Sequence, residues 1–477
     1  MPEKSSVDEA AKSALEIVRK VRFVDLQFAD LTGRLQHVTV PSSRIDERSF
    51  SDGVPKLDGS SIRGFAAINE SDMVLYPDPA TVAVLPWLRE EISTARFLCD
   101  VGLGEGRGNF LGSPRSVAKR AVEELRRAGY TSMWGPEVEF FVFDSATWDV
   151  LQPYKGESYE IKSREAPWAS DGGGYTIRFK EGYYPAPPLD SLFELRSIAV
   201  NYLQDSFGVP CEAHHHEVAG AGQGEINMMA KGLVESADSV VTLKYVVRNV
   251  AKLMNMVATF MPKPVFGDNA SGMHVHFSLW KGNENLFYDP SDKYAELSQL
   301  GRYAVGGLLE HARSLAAIVA PTTSSYKRLV PGYEAPVYLA WSKANRSAAV
   351  RIPVYHRASA ASKRLEFRPP DPSANPYLVF SAMAAAALDG IKRKIDPGEP
   401  TDVNVYELTP DERRERGIRE LPGSLKEAAE ALESDDDYLY PIFAKDVVEK
   451  MISFEKADHE KVFMRPHPYE FYLYFDA

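Results

Sequence analysis

Apolar and polar residues alternate with a period of two along three separate stretches of the chain. In Gly135-Pro136-Glu137-Val138-Glu139-Phe140-Phe141-Val142-Phe143, Val138, Phe140 and Val142 fall on one side, and Glu137, Glu139 and Phe141 fall on the other. Met273, Val275, Phe277 and Leu279 alternate with His274, His276 and Ser278, and Leu365 and Phe367 alternate with Glu366 and Arg368. Successive side chains of a strand leave opposite faces. Each stretch therefore predicts a strand with one face for a core and one bearing acids, imidazoles or a guanidinium. Nearer the N-terminus, Arg22 to Phe28 and Leu35 to Val40 alternate around Asp30-Leu31-Thr32-Gly33, a β-hairpin pattern. Shorter strand signals follow at Met73 to Tyr76, Val82 to Leu85 and Ala95 to Asp100.

Helical patterns fill most of the rest. Val7 to Lys20 predicts a short amphipathic helix, and Ser113 as N-cap with Pro114 at the first helical position opens another that Gly129 closes. Further helices are predicted over Leu192 to Phe207, Ala237 to Phe260, Tyr294 to Val319, Asn375 to Arg393 and Tyr440 to Glu455, and Ser424-Leu425-Lys426-Glu427 reads as a capping box. The Tyr-, Pro- and Gly-rich stretch from Asp149 to Asp190, including Asp171-Gly172-Gly173-Gly174, predicts long loops. Gly102 to Gly108 fits no GxGxxG fingerprint and reads as a linker or loop between domains. The aromatic end, Pro468 to Phe475, predicts a packing surface rather than a loose tail.

The alternation also sets the chemistry. Two carboxylates on one strand face, about 4 Å apart at an effective dielectric of about 20, repel by about 4 kcal/mol, so Glu137 and Glu139 call for a metal ion or an arginine. Glu212-Ala213-His214-His215-His216-Glu217 and Glu225 put more acids and imidazoles beside the spaced glycines Gly220, Gly222 and Gly224; such histidines are more often satisfied by hydrogen bonds than by metal, and Glu217 and Glu225 carry more weight. Ligands drawn from carboxylates, with at most one imidazole per ion and no thiolate, favour Mg²⁺ or Mn²⁺ over Zn²⁺. Arg328, Arg346, Arg351 and Arg368 suit a phosphate and a carboxylate, although each taken singly also reads as surface charge. Asp58-Gly59-Ser60-Ser61 reads alone as a turn bearing one acid. There is no GxxxxGK[ST] loop, which leaves ligases and kinases outside the P-loop group.

Composition narrows the class. The 477 residues, 44% apolar and 26% charged, fit two domains around one dominant core. A formal charge of −12 argues against general attraction to nucleic acid or anionic membrane. Two cysteines, Cys99 and Cys211, make no disulfide framework, and the chain shows neither a signal-peptide pattern nor a long apolar span, so a cytoplasmic location is expected.

Taken together, Asp58-Gly59-Ser60-Ser61, Pro136-Glu137-Val138-Glu139, His215-His216-Glu217-Val218-Ala219, Ser271-Gly272-Met273-His274-Val275-His276, Lys327-Arg328-Leu329-Val330-Pro331-Gly332-Tyr333-Glu334-Ala335-Pro336, Asn345-Arg346-Ser347 and Glu366-Phe367-Arg368 resemble type I glutamine synthetase, in the family's order. The resemblance implies an α+β fold: a small β-grasp N-terminal domain over residues 1–110 and a larger catalytic α/β domain over 111–477 with an antiparallel half-barrel sheet. It also implies a dodecamer of two stacked hexameric rings with active sites shared between subunits. The implied reaction joins ammonia to L-glutamate at the expense of ATP through a γ-glutamyl phosphate. The same fold also serves γ-glutamyl amine or polyamine ligases, and catalytically silent assembly or regulatory homologues.

Carried over by motif, Glu139, Glu217 and Glu225 would hold one metal ion and Glu137, His274 and Glu366 a second. Arg346, with Arg351 nearby, would stabilise phosphoryl transfer from ATP, whose nucleotide side would be lined by Glu212, His276 and Ser278. Glutamate would be gripped by Arg328 and Arg368 with Asn269 and the backbone at Ala270, while Glu334 resembles a flap over the intermediate. Asp58, helped by Ser61, resembles the acid that binds and deprotonates ammonium in a neighbouring subunit's site. Two departures stand out. The family usually has Asn-Gly where this chain has Asn269-Ala270, which a positive φ would strain, and a nucleotide-side lysine expected near Ala361 is met nearest by Lys363. Tyr406 aligns with a tyrosine that is adenylylated in some relatives, and a nitrogen-sensing regulatory protein is a conceivable partner.

Overall fold

The structure is a computed structural model that describes residues 2–66, 71–169, 174–331, 335–354, 358–440 and 442–475. The expected Asp171-Gly172-Gly173 loop and the flap residue Glu334 lie outside the described residues. The first sheet runs in the order Leu35–Pro41, Phe23–Ala29, Thr94–Leu103, Asp72–Pro77, Val54–Asp58, with Ala83–Val84 attached to Thr94–Leu103. Phe23–Ala29 pairs antiparallel with Leu35–Pro41 and parallel with Thr94–Leu103, and the parallel pair requires a crossover connection between Phe23–Ala29 and Thr94–Leu103. Ala14, Leu15 and Val18 of the Pro2–Val18 helix pack with Val24, Leu26, Phe97 and Val101 in one apolar cluster.

The second sheet is larger and holds the polar strands. Its order is Cys211–His216, Gln223–Met228, Thr131–Phe143, Met273–Lys281, Leu365–Phe367, Val350–Ile352, Trp341–Lys343, antiparallel throughout except for the last pair. Val138, Phe140, Val142, Met273, Val275 and Phe277 are buried on the helix-covered face, each contributing about 1.5 to 3 kcal/mol relative to an exposed side chain. Trp134 stacks between Phe277, 4.9 Å away, and Phe380, 5.3 Å away, joining the sheet to the Pro376–Arg393 helix. That alanine-rich helix lies against Gln299–Glu310 so closely that a Cβ on Gly307 would sit 2.0 Å from the Ala386 carbonyl. The small residues there are a steric requirement.

The two sheets are clasped together. Arg115, on the Pro114–Arg127 helix, bonds Asp78 at 2.6 Å, Asp100 at 2.9 Å and Asp238 at 2.9 Å, and Asn375 Nδ2 donates to the Asp30 carbonyl at 3.1 Å. Both cysteines are free thiols. Among the described residues no helix is long and apolar enough to cross a membrane.

Several predicted elements differ in the structure. The helix expected over Ala237 to Phe260 spans Leu233–Leu253; Asn255 then takes a positive φ of 56°, and Val257–Thr259 becomes a strand on the far end of Thr131–Phe143. The helix expected from Tyr294 starts at Gln299, where Ser298 caps it, and breaks at His311. The expected linker at Gly102 to Gly108 begins inside the strand Thr94–Leu103. Ser113 occupies the N-cap without a side-chain cap bond. The Ser424 cap is half of a box: its hydroxyl accepts from the Glu427 N–H at 3.2 Å, while the Glu427 carboxylate reaches Gly423 N. The aromatic end forms a helix, Pro468–Tyr474, whose Phe471, Tyr472 and Tyr474 are left exposed by the described residues.

Candidate functional site

Strand register assembles the site. Across the sheet His215 faces Glu225, Glu225 faces Glu139, Glu137 faces His274, and Glu366 faces both His276 and Arg351. Side chains opposite one another on the same face lie about 4.5 to 5.5 Å apart at Cβ, so residues distant in sequence arrive within ligand distance of each other. The glycine-rich stretch is the hairpin connection between Cys211–His216 and Gln223–Met228. Gly222, at φ 91°, makes its turn, and a Cβ on Gly224 would meet the Arg196 side chain at 2.9 Å.

Two groups of ligand atoms result, each within 4.8 Å of one another: His215, Glu217 and Glu225, and Glu137, His276 and Glu366. Glu137, Glu139, Glu217, Glu225 and His274 line one cavity of about 830 Å³. The same cavity is lined by Asn269, Ala270, Arg328 and Arg368, expected for glutamate, and by Glu212 and Arg346, expected for ATP. Glu366 lies fully buried beneath the cavity lining, where Arg368 Nη1 bonds it at 2.6 Å and Arg351 Nε bonds its other oxygen. Arg351 and Ser278 do not line the cavity, and Ser278 accepts from the Trp280 indole at 2.8 Å. Asp58 and Ser61 do not line it either; they lie exposed at the edge of the first sheet, where Asp58 accepts from Ser60 and Ser61.

The electrostatics divide the acids into two kinds. Burial works against ionisation of Glu366, but Arg368, His276 and Arg351 outweigh it and bring its carboxyl down to about 2. Glu137 is likewise held below the usual range, because His276 and His274 overcome its burial. Glu139 and Glu225 go the other way. Burial raises both, Glu217 raises both further, and Glu225 also feels Glu137 and Glu139. A cage of carboxylates that repel one another is a donor set fitted to a hard divalent cation, which would restore the charged form of each.

His274 and His276 have different parts to play. Arg364 Nε donates to His276 Nδ1 at 3.2 Å, so the remaining proton sits on Nε2, 2.9 Å from Glu137 Oε1. His276 in that state is a donor to Glu137. His274, 3.4 Å from Glu137, has its protonation pushed down to about 4 by burial and by Arg368, which leaves a neutral imidazole with a lone pair for a cation.

Both departures from the family pattern now have an explanation. Ala270 lies outside the positive-φ region, so it replaces glycine without strain. Lys363 is buried with its ammonium on the Ala295 carbonyl, and it is Arg364 that lines the cavity. Tyr406 also lines it, its hydroxyl donating to the Ala335 carbonyl. Sequence reasoning missed Gln223, Tyr183 and Tyr184, all of which line the cavity, and the Tyr184 ring meets His215 edge-on at 4.7 Å. Gln223 was detectable, since it alternates in phase with Glu225 and Asn227; the glycines around it hid the strand.

Comparison with known proteins identifies the family. Residues 20–103 match the family described as glutamine synthetase, beta-Grasp domain, and residues 111–474 match glutamine synthetase, catalytic domain. A glutamine synthetase of Sulfolobus acidocaldarius is 55% identical over 467 residues, covering 97% of this chain and 98% of the other. One of Nostoc sp. is 47% identical over 471 residues, covering 96% and 97%. Among solved structures, Plasmodium falciparum glutamine synthetase superposes with a TM-score of 0.87 at 25% identity over 97% of this chain and 98% of that one. A GmaS/ADP complex superposes at 0.79 with 28% identity, covering 97% and 99%.

Proposed function

This chain belongs to the glutamine synthetase family and is an ATP-dependent ligase that makes L-glutamine, ADP and phosphate from L-glutamate, ammonia and ATP through a γ-glutamyl phosphate; we propose that the half-barrel cavity is its active site, with the following division of labour. The enzyme uses ATP and divalent metal. The finer reading is two ions, Mg²⁺ or Mn²⁺, one held by Glu139, Glu217 and Glu225 and one by Glu137, His274 and Glu366. The observation that carries it is the register that sets Glu137, Glu139, Glu225, Glu366 and His274 on one sheet face, with Glu217 just past the end of the neighbouring strand Cys211–His216. Bound there, the cations would supply charge neutralisation along the phosphates.

The protein's own groups would do the rest. Arg328 and Arg368 grip glutamate carboxylates with Asn269 and the Ala270 backbone, and Arg346 meets the charge that develops during phosphoryl transfer. Arg351 acts through Glu366, which it bonds directly, rather than at the cavity surface. Glu212, His276 and Ser278 belong to the nucleotide side, Glu334 to a flap that keeps water from the acyl phosphate, and Tyr406 to a modification site. Asp58 would accept a proton from ammonium with Ser61 beside it. The Ser60 and Ser61 hydroxyls already stabilise its anion, holding its carboxyl below the ordinary value.

Asp58 is absent from its own chain's cavity, which supports a site completed by a neighbouring subunit. The uncovered aromatic helix Pro468–Tyr474 supports assembly as well, and the reading extends to a dodecamer of two hexameric rings. A boundary between a β-grasp unit and a catalytic unit near residue 110 is supported by the two separate sheets. A cytoplasmic home fits the two free thiols.

The test is metal-dependent phosphate release from ATP with glutamate, comparing ammonium with small amines. Asp58→Ala is expected to cut ammonium-dependent turnover by at least about 100-fold while leaving ATP affinity intact. Equal loss of both, or a preference for an amine over ammonium, refutes the assignment.

A further inference from the structure

Gln223 is 1% exposed, and every polar atom of its side chain is engaged inside the cavity wall. Its Oε1 accepts from the Ala219 N–H at 2.9 Å, in the turn that follows Glu217. Its Nε2 donates to Glu139 Oε2 at 3.0 Å and faces the Ala270 carbonyl and the Ser271 hydroxyl at 3.2 Å each. The amide can sit only this way round. A flip would set its oxygen against a carboxylate and a carbonyl, and its NH₂ against a backbone N–H.

The same Glu139 oxygen receives a second donor, the Gly272 N–H at 2.9 Å. With Oε2 held by two N–H groups, Oε1 is the oxygen left for a cation. One side chain therefore ties together three strands of backbone: the turn after Glu217, the strand bearing Glu139, and the Asn269–Gly272 segment read as the glutamate subsite.

We infer that Gln223 is a positioning residue that couples cation binding at Glu139, Glu217 and Glu225 to glutamate binding at Asn269 and Ala270. This rests on the site assignment made above. A cation drawing on Glu139 and Glu217 holds one anchor of the amide, Glu139, and the turn that carries the other, the Ala219 N–H, and the amide then fixes the Ala270 carbonyl, so glutamate meets a subsite already ordered. Groups that orient a ligating carboxylate typically change metal affinity by about 10- to 100-fold when removed.

The experiment uses Gln223→Met, which keeps length and volume but neither donates nor accepts as an amide does. Gln223→Leu repeats the test should the methionine variant not fold, as judged by elution volume and thermal unfolding. Mn²⁺ serves as the probe cation. Three quantities are read: the Mn²⁺ concentration for half-activation, KM for glutamate against kcat, and glutamate affinity by calorimetry at low and saturating Mn²⁺ with a non-hydrolysable ATP analogue. The wild-type chain is expected to bind glutamate more tightly as Mn²⁺ rises. The variant should need about 10- to 100-fold more Mn²⁺, show a raised KM for glutamate, and lose the Mn²⁺ dependence of glutamate binding. A variant that retains wild-type Mn²⁺ dependence of glutamate binding overturns the inference. Glu139→Gln is run alongside. If it too leaves Mn²⁺ activation unchanged, the cage assignment itself has failed; if it abolishes activation while Gln223→Met behaves as wild type, only the coupling role falls.

Discussion

Two clusters of titratable groups, each built on buried side chains, solve the same problem in opposite ways. In the cavity, burial and the repulsion among Glu139, Glu217 and Glu225 outweigh the pull of Arg328 and Arg368 on Glu139, and Glu139 and Glu225 are pushed up in consequence. On the other side of the core, His311, where the two helices Gln299–Glu310 and Ala312–Val319 meet, lies between two acids: Nδ1 is 2.9 Å from Asp435 and Nε2 is 2.9 Å from Asp389. Both ring nitrogens face carboxylates, so only the imidazolium can donate to both. Burial disfavours that charge, but the bonds to Asp435 and Asp389 outweigh it and raise the imidazole. Tyr438 stacks on the ring at 3.9 Å, Ser314 donates to Asp435 at 2.8 Å, and Arg393 bonds Asp389 at 2.8 Å. A cluster that carries its own countercharge supports the fold. One whose repulsion and burial outweigh its own cations is arranged for a charge that arrives with the chemistry.

The sharpest way to break this comparison is Glu225→Gln. Metal-dependent glutamine formation is expected to fall by at least about 100-fold, as for loss of a group that must act at the reacting phosphate. Without divalent cation the variant should nonetheless be as stable as the wild type or more so, by on the order of 1 kcal/mol, because a repelled buried charge has been removed. Addition of Mn²⁺ at 100 times its Kd should stabilise the wild type by about 2.7 kcal/mol and the variant by less, measured by thermal unfolding. Destabilisation of the metal-free variant would mean the cage is already balanced.

His311→Gln tests the opposite cluster. It should destabilise the metal-free protein by about 2 kcal/mol near pH 6, with little change in KM for any substrate. The pH dependence follows from the raised imidazole. Its contribution is fully present below the ordinary value of 6.5 and is lost as pH rises through the higher folded value. Unfolding curves for wild type and variant should therefore converge toward alkaline pH. Curves that stay parallel would show that His311 contributes by packing alone. The smallest effect is expected for Ser424→Ala, which removes the cap of the Leu425–Ser434 helix leading into Asp435. A loss of about 1 kcal/mol or less, independent of pH, would show that the helix supports the cluster without tuning it.

Much of this is legible in the sequence. The period-two alternation at Glu137, Glu139, His274 and Glu366 already put these groups on the polar faces of strands, because side-chain direction along a strand is a local property. Helix ends were less legible. The apolar pattern of Ala237 to Phe260 runs on past Leu253, and only the packing of Val257–Thr259 against the central strand decides that the helix stops early. The spacing of Gly220, Gly222 and Gly224 does not show that Gly224 is small because Arg196 lies against it.

The sequence by itself determined which residues face the polar side of each strand, and its motifs pointed to the family and to the chemistry those residues share. It could not determine which acid lies opposite which histidine, that Arg364 holds His276 in the tautomer that serves Glu137, or that Gln223 spans three segments. Those depend on strand register and on contacts between residues tens to hundreds of positions apart, and register is decided only when the apolar faces of the strands and the helices over them close on one core.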